Sequence, residues 1–379
     1  MGVVNKYPWF LILIFFIGCK EKFSPDLKEN NQNLLVVEGL ITLGSERTQI
    51  KLSRTVSLSQ NVTSIPENGA SVTIEDNANQ IYSLAEKGLG VYESAVLNLS
   101  AGKKYRVRIK SKGNEYVSDF TEAKLSPAIE SINWEAKPNG VQIYLNTRDN
   151  TNSSRYYKWD FEETWIFNAR YNSSLIWGTN GLKLRNRDTE DIYRCWATGI
   201  ASEIFLGSSV KLESDVINKQ PLVFIPSTSE KFTDKYSILV KQSVLTKEAF
   251  EFWENLRRNT ESLGTIFDAL PSQLTGNIRN VKNPSEPVIG FISAGELKTK
   301  RIFISKSELP NWRVEQSDDC NVPDTIPVNR AASIFANGNY IAIEEIFSQS
   351  GALLGYTGTV RKCGDCTTRG TNRKPSFWP

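Results

Sequence analysis

Only one stretch of this 379-residue chain, Leu245–Asn277, carries sustained helical periodicity; the other apolar segments are short and mostly alternating. Alternation with a period of two puts one face of a strand in a core and the other in water, so such a chain must fold mainly as β-sheet. Within the exception, Thr246 is placed to cap a helix and Glu248 falls in its first turn, where the dipole favours an anion. Ala249, Phe252, Trp253 and Leu256 form a single apolar stripe, and Gly264 is a natural stop, which predicts a helix over about 246–262. The stripe reads as core cover for a β domain. The outer Arg257 and Arg258 are the candidates for docking a partner.

The strand pattern divides near Leu125-Ser126-Pro127. Residues 34–125 open with the apolar run Leu34–Ile41 and continue through Ile50/Leu52, Val72/Ile74 and Tyr105/Val107/Ile109, with a hairpin signal at Lys112-Gly113-Asn114. Residues 126–310 repeat the pattern, with a hairpin at Lys137-Pro138-Asn139-Gly140 and the long strand Tyr156–Phe167. Val288–Ile292 and Arg301–Ile304 are expected to complete the second sheet. The resulting expectation is a mainly β chain of two tandem sandwiches of immunoglobulin or fibronectin type, the second holding the helix. Residues 311–379 read as a less regular segment packed on the second domain.

Histidine is absent and the only methionine is the initiator. This removes Ser-His-Asp and Cys-His nucleophile pairs, His-containing metal sites and thioether ligation. The formal charge of +3 is spread along the chain, so nothing points to nucleic acid. Carboxylate chemistry survives these exclusions, with Asp318/Asp319 and Glu344/Glu345 as the pairs to consider for a hydrolase. Glu162 and Glu163 are neighbours on one strand and point to opposite faces, so they cannot flank one scissile bond. Trp165 on that strand and Trp177 in the polar stretch Asn172–Asp188 could form a carbohydrate- or peptide-binding surface. The row Arg106, Arg108, Lys110 suits a solvated sheet face better than a phosphate site. No cofactor and no metal is expected.

At the amino terminus, Lys6 precedes the apolar run Trp9–Ile17 and then Gly18-Cys19. A small residue before cysteine at the end of such a run has the form of a lipoprotein signal, here with Phe16 where Leu is usual. Residues 1–18 are then the signal and Cys19 carries the lipid. Residues 19–33 form a polar tether. Four cysteines remain, an even number suited to an oxidising compartment. We expect Cys195 and Cys320 each to bond one member of the Cys363/Cys366 pair. A redox CxxC belongs at a helix start after a strand, and a four-cysteine zinc site needs a second knuckle.

Several segments carry a family resemblance: Leu35–Thr42, Tyr193-Arg194-Cys195-Trp196, Lys235–Val240, Phe252-Trp253 with Leu263–Asp268, Gly276-Asn277-Ile278, Val288-Ile289-Gly290-Phe291 and Lys300–Ile304. The tail Cys363-Gly364-Asp365-Cys366 through Lys374–Trp378 completes it. In these the chain resembles the domain of unknown function 4249 family, lipoproteins of the Bacteroidota cell envelope commonly encoded beside TonB-dependent receptors. The resemblance implies an outer-membrane, lipid-anchored protein whose partner is a TonB-dependent receptor, and it carries over no catalytic residue. The expected function is thus non-enzymatic, an accessory, substrate-capture or scaffold component of a TonB-dependent transporter. The alternative is a binding module acting alone. Cys19→Ala is expected to move the protein from the membrane to the soluble fraction, read by fractionation and immunoblotting.

Overall fold

The computed structural model describes residues 33–56, 64–261, 276–314 and 320–379. Cys19, the tether 19–32, Gly264 and the pair Asp318/Asp319 lie outside them. The described chain is mainly β, and its strands gather into a first unit, a second unit and a small carboxy-terminal sheet.

The first unit begins with Leu35–Thr42 antiparallel to Gln49–Arg54. From there the pairing passes through Val91–Glu93, Ile81–Gly88, Ser71–Asp76 and Lys104–Ser111 to Asn114–Ser118. The alternation read from sequence is realised: Val72, Ile74, Tyr105, Val107 and Ile109 are buried in one core. Their outward neighbours Arg106 and Arg108 are tied to Glu75, and Arg108 also to Glu115, so the two arginines of the cationic row are paired within their own sheet.

This unit is completed from far downstream. Ser293–Gly295 pairs in parallel with Leu40–Thr42, and Ile278–Asn280 pairs antiparallel with Tyr116–Ser118. Ile278, Val288, Ile292 and Ala294 are buried in the first core. Lys124 then bonds the far side of the returning strand, donating to Ala294 O at 3.1 Å and accepting from Glu296 N at 2.8 Å. The ring of pairing is thereby closed into a barrel-like unit. The placement of Val288–Ile292 in the second sheet is therefore corrected. Val37 N donates to Ile289 O at 2.8 Å and Ile289 N to Leu35 O at 2.9 Å, so the edge of the first strand takes a parallel partner, which cannot come from a tight turn.

Where the returning chain crosses Val37 it has no room for a side chain. A Cβ on Gly290, whose φ is +137°, would stand 2.1 Å from Val37 O, and one on Gly276 would stand 1.8 Å from Gly290 O. Elsewhere in this unit Arg54 and Glu67 form a buried ion pair.

The second unit is two facing sheets. Ile129–Lys137, Gly140–Asp149 and Asp215–Pro226 form one. Arg194–Ile200, Tyr156–Asn168, Lys235–Val244 and Lys298–Ser305 form the other, with Phe205–Ser208 beside the start of the long strand. Val141, Ile143 and Leu145 meet Trp159, Phe161, Ile238 and Val240 in the shared core. The aromatic strip of the long strand is core, as its period of two predicts.

Beyond Pro310 the chain is more regular than its sequence suggests. Asp324–Pro327, Leu353–Val360 and Tyr340–Phe347 form a three-stranded sheet over Ile326, Phe335, Ala342 and Tyr356. The polar stretch Asn172–Asp188 joins it as a hairpin, Leu175–Gly178 with Gly181–Leu184, and Trp177 packs on this third core. Cys195–Cys366 and Cys320–Cys363 are disulfide-bonded. The last residues lie on the outer face of the second unit's larger sheet. Trp378 meets Phe303 at 5.4 Å, and the Arg301 guanidinium sits 3.6 Å from the centre of Phe377.

Two outcomes are expected. Gly290→Ala should lower the unfolding free energy by about 3 kcal/mol or more, since it combines a strained φ with a backbone clash, and urea titration measures it. At Glu67, burial pushes the carboxyl up, but hydrogen bonds from Arg54, Lys112 and Ser111 prevail and hold it at about 2. A depressed carboxyl stabilises fully above its ordinary value of 4.5, and that contribution is lost as the pH falls towards 2. Unfolding free energy measured across this window should decline less in Glu67→Gln than in the parent.

Candidate functional site

The helix, α1, spans Lys247–Glu261 and starts as its sequence directs: Ala249 N donates to Thr246 Oγ1 at 3.2 Å. Its stripe is used as core cover. Ala249 and Phe252 are buried against Leu206 and Phe291, with Trp253 and Leu256 partly buried beside them. Leu206 belongs to the second unit, whereas Phe291 belongs to the chain returning to the first. The helix is thus wedged between the two units.

Beside this wedge lies a groove of about 580 Å³. Its floor is apolar: Phe252 from α1 and Phe291 from the returning chain meet with ring centres 5.6 Å apart. One wall is α1, through Thr246, Glu248, Glu251 and Asn255. The opposite wall is the first unit, through Lys104, Asp119, Phe120, Thr121 and Glu122. Gly276 and Asn277 close the end. Asn277 fixes that end firmly: its side chain donates to Ile292 O at 2.8 Å and accepts from Ile292 N at 2.9 Å, while its carbonyl accepts from Asp119 N at 2.7 Å.

The rim carries four carboxylates against one ammonium. Asp119 pairs with Arg279, Glu122 with Lys124 at 3.1 Å and Glu251 with Lys247 at 3.7 Å. Glu248 is held below the usual carboxylate range by hydrogen bonds from its own backbone N–H and from the Thr246 hydroxyl. Phe120 is 39% exposed, and Arg106 covers one face of its ring at 4.5 Å. Such a groove suits an apolar body that carries a cation, with the rings taking the body and the rim the charge.

The residues singled out from sequence do not converge here. Trp165 lies on the long strand of the second unit, with Lys231 at 5.2 Å from its ring centre. Trp177 belongs to the third core. Arg258 is exposed on α1 and pairs with Glu254 at 3.2 Å; Arg257 next to it is half-buried. Glu163 is buried, accepting from Lys231 at 2.6 Å and from Tyr236 at 2.8 Å, whereas Glu162 pairs with Lys241 on the other face. Burial, and Glu163 after it, push the Tyr236 hydroxyl well above its ordinary value. Glu344 and Glu345 are adjacent and exposed on one strand. Among the described residues no metal-binding cluster of three or more His, Cys, Asp or Glu occurs, and no helix is long and apolar enough to cross a membrane.

Sequence reasoning missed Phe120, Glu122, Asn277 and Phe291 as neighbours of α1. The available signal was the spacing of Gly276-Asn277 and Gly290-Phe291, because glycines next to ordered side chains mark a close backbone crossing.

Comparison with known proteins adds a family and little else. No curated protein matches the chain. One solved structure, described as the complete structure of manganese lipoxygenase of Gaeumannomyces graminis and partial structure of zonadhesin of Komagataella pastoris, is 8% identical over 58% of this chain and 91% of that one, with a TM-score of 0.17. The BSP domain of a biofilm associated protein is 7% identical over 87% of this chain and 76% of that one, with a TM-score of 0.16. Scores this low carry no argument about fold or function. The family model of the domain of unknown function (DUF4249) matches residues 20–301, which takes in the first unit, α1, every groove residue and the second unit as far as the middle of its last strand, and the chain belongs to that family.

Proposed function

We propose that this protein is a non-enzymatic, lipid-anchored component of the outer membrane, held there through Cys19, that captures a ligand or partner segment on behalf of a TonB-dependent transporter. The observation that carries the binding half is the groove between α1 and the first unit, with its phenylalanine floor and carboxylate rim. Concave sites at the junction of two units are where ligands usually bind, and a junction lets binding alter how the units sit. The chemistry favours a cation on an apolar body, such as a basic residue flanked by apolar ones. The membrane and transporter half is motivated by the Gly18-Cys19 signal and by the family resemblance.

Copurification from mildly solubilised outer membrane tests both halves. The parent should retain a barrel receptor, and Glu122→Lys with Glu251→Lys should retain roughly tenfold less at an unchanged unfolding midpoint. If the parent brings down no barrel, the transporter role fails. If the doubly reversed variant retains as much as the parent, the groove is not the contact. A saturable change in tryptophan emission on adding a small ligand, with no barrel recovered, would favour the module acting alone.

A further inference from the structure

The carboxy-terminal sheet ends in a hairpin whose strands feed its core through Ala342 and Tyr356 but whose tip that core does not use. Tyr340–Phe347 and Leu353–Val360 pair with Phe347 opposite Leu353. At this tip Phe347 is 54% exposed, Leu354 56% and Leu353 36%. Val328 is exposed too, and it follows Pro327, whose partner Gly355 adjoins Leu354. Large apolar side chains exposed together on a projecting hairpin mark an interaction surface.

Two further observations say what kind. From Ile346 to Val360 the chain holds no Asp, Glu, Lys or Arg, so the tip offers no ionic handle to a protein surface. The turn also satisfies much of its own polarity. Ser348 N donates to Ala352 O at 2.8 Å, Gly351 N to Ser348 O at 3.0 Å and Ala352 N to Ser348 Oγ at 3.0 Å. The Ser348 and Ser350 hydroxyls bond each other at 2.9 Å. Internal pairing of backbone groups is what a segment needs to leave water for lipid, whereas a protein partner could supply those bonds itself.

We propose that the Phe347–Leu354 tip inserts into the interfacial layer of a phospholipid bilayer, as a membrane contact separate from the Cys19 anchor. Glu344 and Glu345, exposed just below the tip, set the lipid class: a zwitterionic surface accepts them, whereas an anionic one repels them. Binding to a zwitterionic surface is therefore driven by apolar burial and is insensitive to added salt. The inference does not depend on the groove.

The test uses the chain from residue 19 onward with Cys19→Ser, so that no acyl chain contributes. It should cosediment with protein-free phosphatidylcholine vesicles and bind less to vesicles rich in phosphatidylglycerol. Phe347→Asp with Leu354→Asp should reduce partitioning roughly tenfold or more at an unchanged unfolding midpoint. Leu354→Trp gives a second reading, with emission quenched by bromine-substituted acyl chains beyond the quenching of the parent. Absent vesicle binding, equal binding by the double Asp variant, or no added quenching in Leu354→Trp would each overturn the proposal. So would a tip variant that loses binding to native membranes while its parent ignores protein-free vesicles, because that places a protein partner at the tip.

Discussion

The parallel pairing of Leu40–Thr42 with Ser293–Gly295 is the contact on which the remainder of the fold depends. Parallel neighbours cannot be joined by a hairpin, so the chain must travel away and return. Here the crossover runs through the rest of the first unit, most of the second and α1. The first unit cannot close until that excursion is complete, and the second lacks its strand Lys298–Ser305 until the chain has passed back through the first. The two units are interlocked through the chain path. Gly276 and Gly290 make the crossing possible by letting backbones touch where any side chain would collide.

The groove follows from the same crossing. Its floor and end are built by Phe291, Gly276 and Asn277 of the returning chain, one wall by α1 and the other by the first unit. A site assembled from three separated stretches is sensitive to how those stretches are placed. The bidentate grip of Asn277 on Ile292 and the cap of Thr246 on α1 are the devices that hold two of them. The disulfides Cys195–Cys366 and Cys320–Cys363 fasten the carboxy-terminal segment, Cys366 being tied to a strand of the second unit. A cross-link spanning so much sequence stabilises chiefly by restricting the unfolded chain, by roughly 2–4 kcal/mol in typical cases.

Much of the local structure was legible in the residues. The alternation at Val72/Ile74 and Tyr105/Val107/Ile109 gave buried faces, and the stripe at Ala249/Phe252 gave a packed helix, because periodicity reports which side of an element meets a core. Where reading by neighbourhood failed, it failed for one reason. Val288–Ile292 precedes Arg301–Ile304 in sequence and looks like its sheet partner, since consecutive strands usually adjoin. An apolar run states that it is buried and says nothing of which core buries it. Trp177 shows the same limit: in a polar stretch it resembled an exposed platform, yet a core from residues 326–356 lies beneath it.

The sequence by itself determined the β class, the long helix with its cap, the alternation of buried and solvated strand faces and the exclusion of histidine chemistry. Each of these is set by side chains a few residues apart. Only the tertiary structure decided that the chain re-enters its first unit, that α1 sits between units, and that Phe252 and Phe291 share the floor of a groove. These depend on backbone hydrogen bonds between distant strands, and such bonds are made by groups every residue possesses. Identical donors and acceptors leave no mark in the sequence, apart from the glycines that the crossing requires.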